Sequence, residues 1–275
     1  MADGCLNFDT NINKEGFEKG LKSLSDMVGD IKPKLKSLAM ALTAAFSVKK
    51  LVDFGRQSIE TASDLAEVQN VVDTAFGESK QKMEDFADTA VKTYGISKLT
   101  AKQTGSNFMA MAAGMGLAND SASDMAMALT GLSADMASFY NVGQDVASTA
   151  LKSIFTGETE TLKQFGIVMT DANLQAYSLS KGITKSTADM SQAEKVQLRY
   201  NYVMSQTALA QGDFAKTSDS WANQTRILSE QWKEFGATIG TVLMNVLLPA
   251  VKAINSLLSQ LISLAQGAAR SLSEA

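Results

Sequence analysis

The sequence predicts an all-α protein, and three observations carry that prediction. Only 2 of 275 residues are proline against 19 glycines, which suits long helices punctuated by glycine better than a turn-rich β fold. Apolar residues recur at helical spacing along most of the chain, whereas period-2 alternation occurs once, at Leu6, Phe8, Thr10 and Ile12. Apolar residues make up 45% and charged residues 20%, enough for a buried core. The expected architecture is an elongated multi-helix assembly with long helices, a compact central helical region and one short N-terminal β-strand.

The elements follow in order. A lone strand within 1–14 is marginal and needs a partner from elsewhere. A long helical, coiled-coil-like arm then occupies 15–76. Within it Phe17, Leu21, Leu24, Val28, Ile31, Leu35, Leu38 and Leu42 are spaced 4, 3, 4, 3, 4, 3, 4, a heptad seam kept over about four heptads. Pro33 falls inside that seam and should kink or divide the helix. The seam suits either an amphipathic helix on its own domain's core or self-association. Phe46–Phe76 continues in helical period, and Gly77 reads as its C-terminal position.

A compact central domain is expected over 77–212. Its helices fall at about Lys80–Tyr94, Thr100–Met115, Ser121–Phe139, Gln144–Phe155, Thr159–Phe165 and Asp171–Ser180, with Gly95, Gly116, Gly143, Gly157, Gly166 and Gly182 between them. Ser191 and Glu194 form a capping box that opens a helix running to about Gln206. Met109, Met111, Met115, Met125, Met127 and Met136 crowd a region rich in small residues. Methionine fills irregular gaps with little shape specificity, so this is either a loosely specified core or an adaptable partner surface.

The last segment, 213–275, is expected to hold long helices ending in an apolar hairpin. One helix runs from Asp213 towards Leu248, Pro249 interrupts it, and another follows to about Arg270. Trp221 and Trp232, about three turns apart on one face, read as packing anchors. From Phe235 to Ala269 the only charged side chain is Lys252. Ile239, Val242, Leu243, Val246 and Leu247 recur at helical spacing before Pro249, and Ile254, Leu257, Leu258, Leu261 and Leu264 after it. The stretch is long enough to span a bilayer, but Asn245, Asn255, Ser256, Ser259, Gln260, Ser263 and Gln266 give it a polar side. It therefore reads as a packing or self-association face, as a membrane-active face after release, or as a transmembrane hairpin.

Composition removes most catalytic chemistry. The chain has no histidine, which excludes Ser-His-Asp and Cys-His arrangements and His-ligated metals. Cys5 is the only cysteine, so neither an internal disulfide nor a thiolate metal cluster is available. The net charge of −4 gives no general basic field for nucleic acid. Lys49-Lys50 and Lys32–Lys36 are short basic clusters that suit a solvated face. No phosphate-binding glycine loop occurs; Gly114-Met115-Gly116 lies in a helical run. Glu158 and Glu160 follow Gly157, where their charge suits a helix N-terminus better than acid–base work. The expectation is a non-enzyme with no catalytic, cofactor or metal site. Met1–Thr10 lacks the basic and apolar regions of a signal peptide, so synthesis and folding in a reducing cytoplasm are expected.

The run from Thr156 to Leu174, Thr-Gly-Glu-Thr-Glu-Thr-Leu-Lys-Gln-Phe-Gly-Ile-Val-Met-Thr-Asp-Ala-Asn-Leu, resembles the central signature of tail tape measure proteins of long-tailed bacteriophages and prophages. Tyr140-Asn141-Val142 and Ala147–Leu151 before it agree with the resemblance. So do Gly182-Ile183-Thr184-Lys185, Ala193-Glu194-Lys195, Leu198-Arg199-Tyr200, Ala210–Ala215 and Leu248-Pro249-Ala250 after it. The opening Phe8-Asp9-Thr10 with Gly16-Phe17 and Gly20-Leu21 is similar to the family's start.

The resemblance implies a structural virion component. Several copies lie along the growing tail tube, set its length and later help the genome cross the host envelope. The implied partners are further copies of the chain, the tail tube protein, tail assembly chaperones and tail-tip or baseplate proteins. The host membrane joins them during ejection, and no specific nucleic-acid sequence is read. The implied locations are the bacterial host cytoplasm, then the tail lumen, then the host membrane on infection. A fully helical copy would reach about 410 Å at 1.5 Å per residue. Many family members are much longer, so a short ruler or a piece of one is expected, without the peptidoglycan-cleaving domain some members carry. The competing expectation is a membrane-active helical pore-forming protein of cytoplasmic origin.

Overall fold

The computed structural model describes residues 48–273, and these are helical throughout, joined by short turns. The expected strand at 1–14 and the seam Phe17–Leu42 lie outside the described residues. Two compact units are present. One is Glu60–Thr238; of the other, residues 48–59 and 239–273 are described.

The helices, in order, are α1 (Val48–Phe76), α2 (Lys80–Tyr94), α3 (Lys98–Gly114), α4 (Asn119–Phe139), α5 (Gln144–Leu151) and α6 (Ser153–Thr156). After them come α7 (Glu160–Lys163), α8 (Asp171–Ser180), α9 (Gln192–Gln206), α10 (Asp213–Thr217) and α11 (Trp221–Ser273). Single 3-10 turns occupy Gly77–Ser79 and Thr187–Asp189.

Local chemistry accounts for the boundaries. Ser97 opens α3 by accepting from the Thr100 amide, and Thr170 opens α8 through the Asn173 amide. The capping box at α9 has both halves: Ser191 Oγ accepts from the Glu194 amide, and Glu194 Oε2 accepts from the Ser191 amide at 2.7 Å. Lys185 reaches the same carboxylate at 2.7 Å. These contacts, led by the lysine, hold Glu194 down at about 2.

α4 is the centre of the Glu60–Thr238 unit and packs against α2, α3, α5 and α10. Its buried residues, among them Met125, Leu129, Leu132, Met136 and a run of alanines, face several directions, as suits a helix covered on most sides. α2 packs closely on both α3 and α4 where each presents a glycine to it. A Cβ on Gly105 would meet Met83 Sδ at 2.8 Å, and one on Gly131 would meet the Tyr94 ring at 2.9 Å. Phe76, Phe108, Phe155 and Phe214 are fully buried, and the Phe108 and Phe155 rings stack 6.1 Å apart. Each such side chain contributes about 1.5–3 kcal/mol relative to exposure. Of the six crowded methionines, Met109, Met125 and Met136 are buried, while Met111, Met115 and Met127 pack partly buried against the same core. All six therefore belong to the core or pack against it.

Three expectations are corrected. The segment Gln144–Phe155 is two helices, α5 and α6. The helix expected from Asp213 stops at Thr217; Ser220 Oγ then accepts the Asn223 amide at 3.2 Å and starts α11. Most consequentially, α11 continues through Pro249, so the hairpin expected there is absent. Pro249 removes one backbone donor, which costs a helix interior about 3 kcal/mol. Asn245 and Pro249 are both exposed, so water is available to the carbonyl left without a donor, and one missing bond does not end a helix continued by good formers on both sides.

Candidate functional site

The segment carrying the resemblance builds a corner between α6 and α8. Gly157 closes α6 at φ +80°, with its amide donating to the Ser153 carbonyl at 2.8 Å. The left-handed backbone calls for glycine, and a Cβ there would stand 2.7 Å from Arg199 Nη2, so the guanidinium would have to shift. Arg199, on α9, donates to the Ile154 and Phe155 carbonyls at 3.4 and 3.3 Å, and burial lowers its pKa. Ser153 and Thr161 hydroxyls bond at 2.7 Å. Leu162, Phe165, Ile167 and Met169 are all buried beneath. The Tyr140 hydroxyl donates to the Phe165 carbonyl and the Tyr202 hydroxyl to the Val168 carbonyl. Glu158 and Glu160 are both exposed, and Glu160 pairs with Lys163 at 2.6 Å.

The second feature is the polar seat of α11. Asn223, Arg226, Glu230 and Glu234 are spaced 3, 4, 4 and lie on one helix face. Asn223 is buried and donates to Ser138 Oγ, Thr217 Oγ1 and the Thr217 carbonyl at 2.8–3.1 Å. Arg226 donates to the Val142 carbonyl at 3.5 Å. Glu230 Oε2 accepts from the Ser97 amide at 3.1 Å and Glu234 Oε1 from the Lys98 amide at 2.9 Å. Two carboxylates thus satisfy free N–H groups at the start of α3, where the helix dipole favours negative charge. A cavity of about 460 Å³ lies beside this seat, lined by Gln103, Asn107, Gln144, Asp145, Arg226 and Glu230. A second, of about 330 Å³, is lined by Asp171, Thr187, Lys195 and Arg199.

Of the predicted face on the last helix, Ile239, Val242 and Leu243 are half-buried while Leu247 and Leu258 are exposed. The side chains of Val246, Ile254, Leu257, Leu261 and Leu264 lie outside the described ones. Trp221 is 85% exposed and does not anchor the core as expected, whereas Trp232 is 43% exposed and packs against the Phe235 ring. Among the described residues no helix is long and apolar enough to cross a membrane.

The sequence reading missed the polar seat, although its 3, 4, 4 spacing was visible opposite the tryptophans. It also missed Asp135, a buried carboxylate on α4 that accepts from the Gly212 amide at 2.7 Å and the Phe214 amide at 3.2 Å, capping α10. Burial pushes its pKa up, partly opposed by those two amides. The folded state therefore holds the proton more tightly than the unfolded chain, and ionisation costs stability as pH rises from the ordinary aspartate range, roughly pH 4, through the raised value. Urea unfolding followed across pH should show this fall in the wild type and its absence in Asp135→Asn.

Comparison with family models, with curated proteins and with solved structures returns no match.

Proposed function

We propose that the chain is a non-enzymatic structural protein of a bacteriophage or prophage tail, a tape measure that sets tail tube length during assembly and assists genome ejection. The observation that carries this reading is the signature-like segment Thr156–Leu174. Its residues are spent on building a corner: glycine where Arg199 closes in, apolar side chains beneath, tyrosine hydroxyls on its carbonyls. That use suits a protein whose task is shape. The helices support it: 29 residues in α1 and 53 in α11 correspond to about 43 and 80 Å of rise.

On this reading the chain associates with further copies of itself and with the tail tube protein, assembly chaperones and tail-tip proteins. It is made in the bacterial host cytoplasm and stored in the tail lumen. Exposed Leu247, Leu248, Val251, Leu258 and Ile262 on α11 offer an apolar surface for host membrane during ejection. An in-frame deletion within α1 or α11 in the native gene should shorten tails by about 1.5 Å per residue removed. Electron micrographs of the deletion phage read this directly, and tails of unchanged length would overturn the proposal.

A further inference from the structure

Lys195 and Arg199 stand one turn apart on the same face of α9, and both line the cavity of about 330 Å³. Like charges at that spacing destabilise a helix, and an anion between them removes the repulsion. Among the described residues no carboxylate stands within ion-pair distance of either. Arg199 spends Nη1 on the Ile154 and Phe155 carbonyls. Its other N–H groups and the Lys195 ammonium have no acceptor among the described residues. Glu194, next to Lys195 in sequence, is taken by Lys185 and the Ser191 amide. Both cations are partly buried, so water satisfies them only in part.

The rest of the lining says what an occupant carries besides charge. Asp171 is its one acidic residue, so two positive charges face one negative and the cavity has a net charge of +1. Leu174 and Leu198, otherwise buried in the core, give it an apolar side. Thr187 adds a hydroxyl that holds no bond among the described residues. The volume is at the small end for ligand pockets, which start at about 300 Å³. A bare inorganic ion would leave the leucines facing water, and a neutral hydrocarbon would leave the cations unpaired. A phosphate monoester, at about −1.5 to −2, overshoots the charge, whereas a carboxylate matches it and fits the planar guanidinium.

We propose that this cavity binds a small organic carboxylate, its head between Lys195 and Arg199 and its short apolar body against Leu174 and Leu198. The site goes beyond the structural role proposed above and does not depend on it.

Titration calorimetry of the full chain with sodium butyrate, at constant ionic strength, tests this. Saturable binding is expected, about tenfold tighter than for acetate, because two further methylenes leave water. Lys195→Gln should weaken butyrate binding about tenfold by removing a charged donor. Helicity and melting temperature should stay unchanged, because the Lys195 side chain makes no hydrogen bond within the described fold. Arg199 is the poorer variant, since it also holds the corner after α6. Asp171→Asn should tighten binding, because the charge opposing the bound head is gone. A lysine that only solvates α9 predicts no change in binding from either substitution. Absence of saturable binding, equal affinity in wild type and Lys195→Gln, or inorganic phosphate bound more tightly than butyrate would each overturn the assignment.

Discussion

Gly95→Ala should lower the stability of the Glu60–Thr238 unit by about 3–4 kcal/mol, read as a shift in the urea midpoint with the slope unchanged. Gly95 ends α2 at φ +65°, with its amide donating to the Val91 carbonyl at 3.0 Å. A non-glycine residue in that left-handed conformation costs about 1–2 kcal/mol. Space is the larger difficulty. A Cβ would stand 2.3 Å from Phe214 Cε2 and 2.4 Å from Cζ, and Phe214 is fully buried, so the ring cannot swing into solvent. Overpacking of this kind costs about 1–3 kcal/mol more. Gly182 is the control: its φ is +76° but nothing lies within 4 Å of its Cβ position. Gly182→Ala should therefore show the backbone cost alone. Equal losses in the two variants would mean that the α2–α3 turn does not pack on Phe214 as described.

That pair of glycines also shows where the sequence is legible. Gly95 and Gly182 both read as helix ends, and helix ends they are. The periodicity likewise places α2, α8 and α9 at their observed bounds, because each is framed by a capping side chain or a glycine that local chemistry reveals. What a residue meets across the fold is a different quantity. Gly95 and Phe214 are 119 positions apart, and no local pattern separates a glycine under a phenyl ring from one facing water. The tryptophans show the same limit from the other side. Their spacing places them on one face, but which face turns inward is decided by the carboxylates of Glu230 and Glu234 finding the start of α3. Pro249 failed as a break because one lost donor is a local cost, which the surrounding helix outweighs.

Lys102 is the second residue whose weight only the fold displays. Its Nζ donates to Glu84 Oε2 at 2.6 Å and to Gln69 Oε1 at 2.5 Å, and Gln69 Nε2 donates to Glu84 Oε1 at 2.8 Å. The three side chains come from α3, α2 and α1 and close a ring of hydrogen bonds. The Lys102 side chain is 7% exposed and the Glu84 side chain 28%. Lys102→Met keeps most of the buried stem but strands a carboxylate that has lost its cation. Breaking a fully buried pair costs about 3–5 kcal/mol, and the partial exposure of Glu84 puts the expected loss at the lower end, about 3 kcal/mol. The double variant Lys102→Met with Glu84→Leu removes both charges and leaves only Gln69 short of partners. It should therefore be more stable than Lys102→Met alone, because the cost comes from stranding one charge and not from losing the pair. Urea unfolding of the wild type, both single variants and the double variant completes the cycle and measures the coupling. If the two single losses simply add in the double variant, Lys102 and Glu84 do not act as a pair and the ring joining the three helices is not a unit of stability.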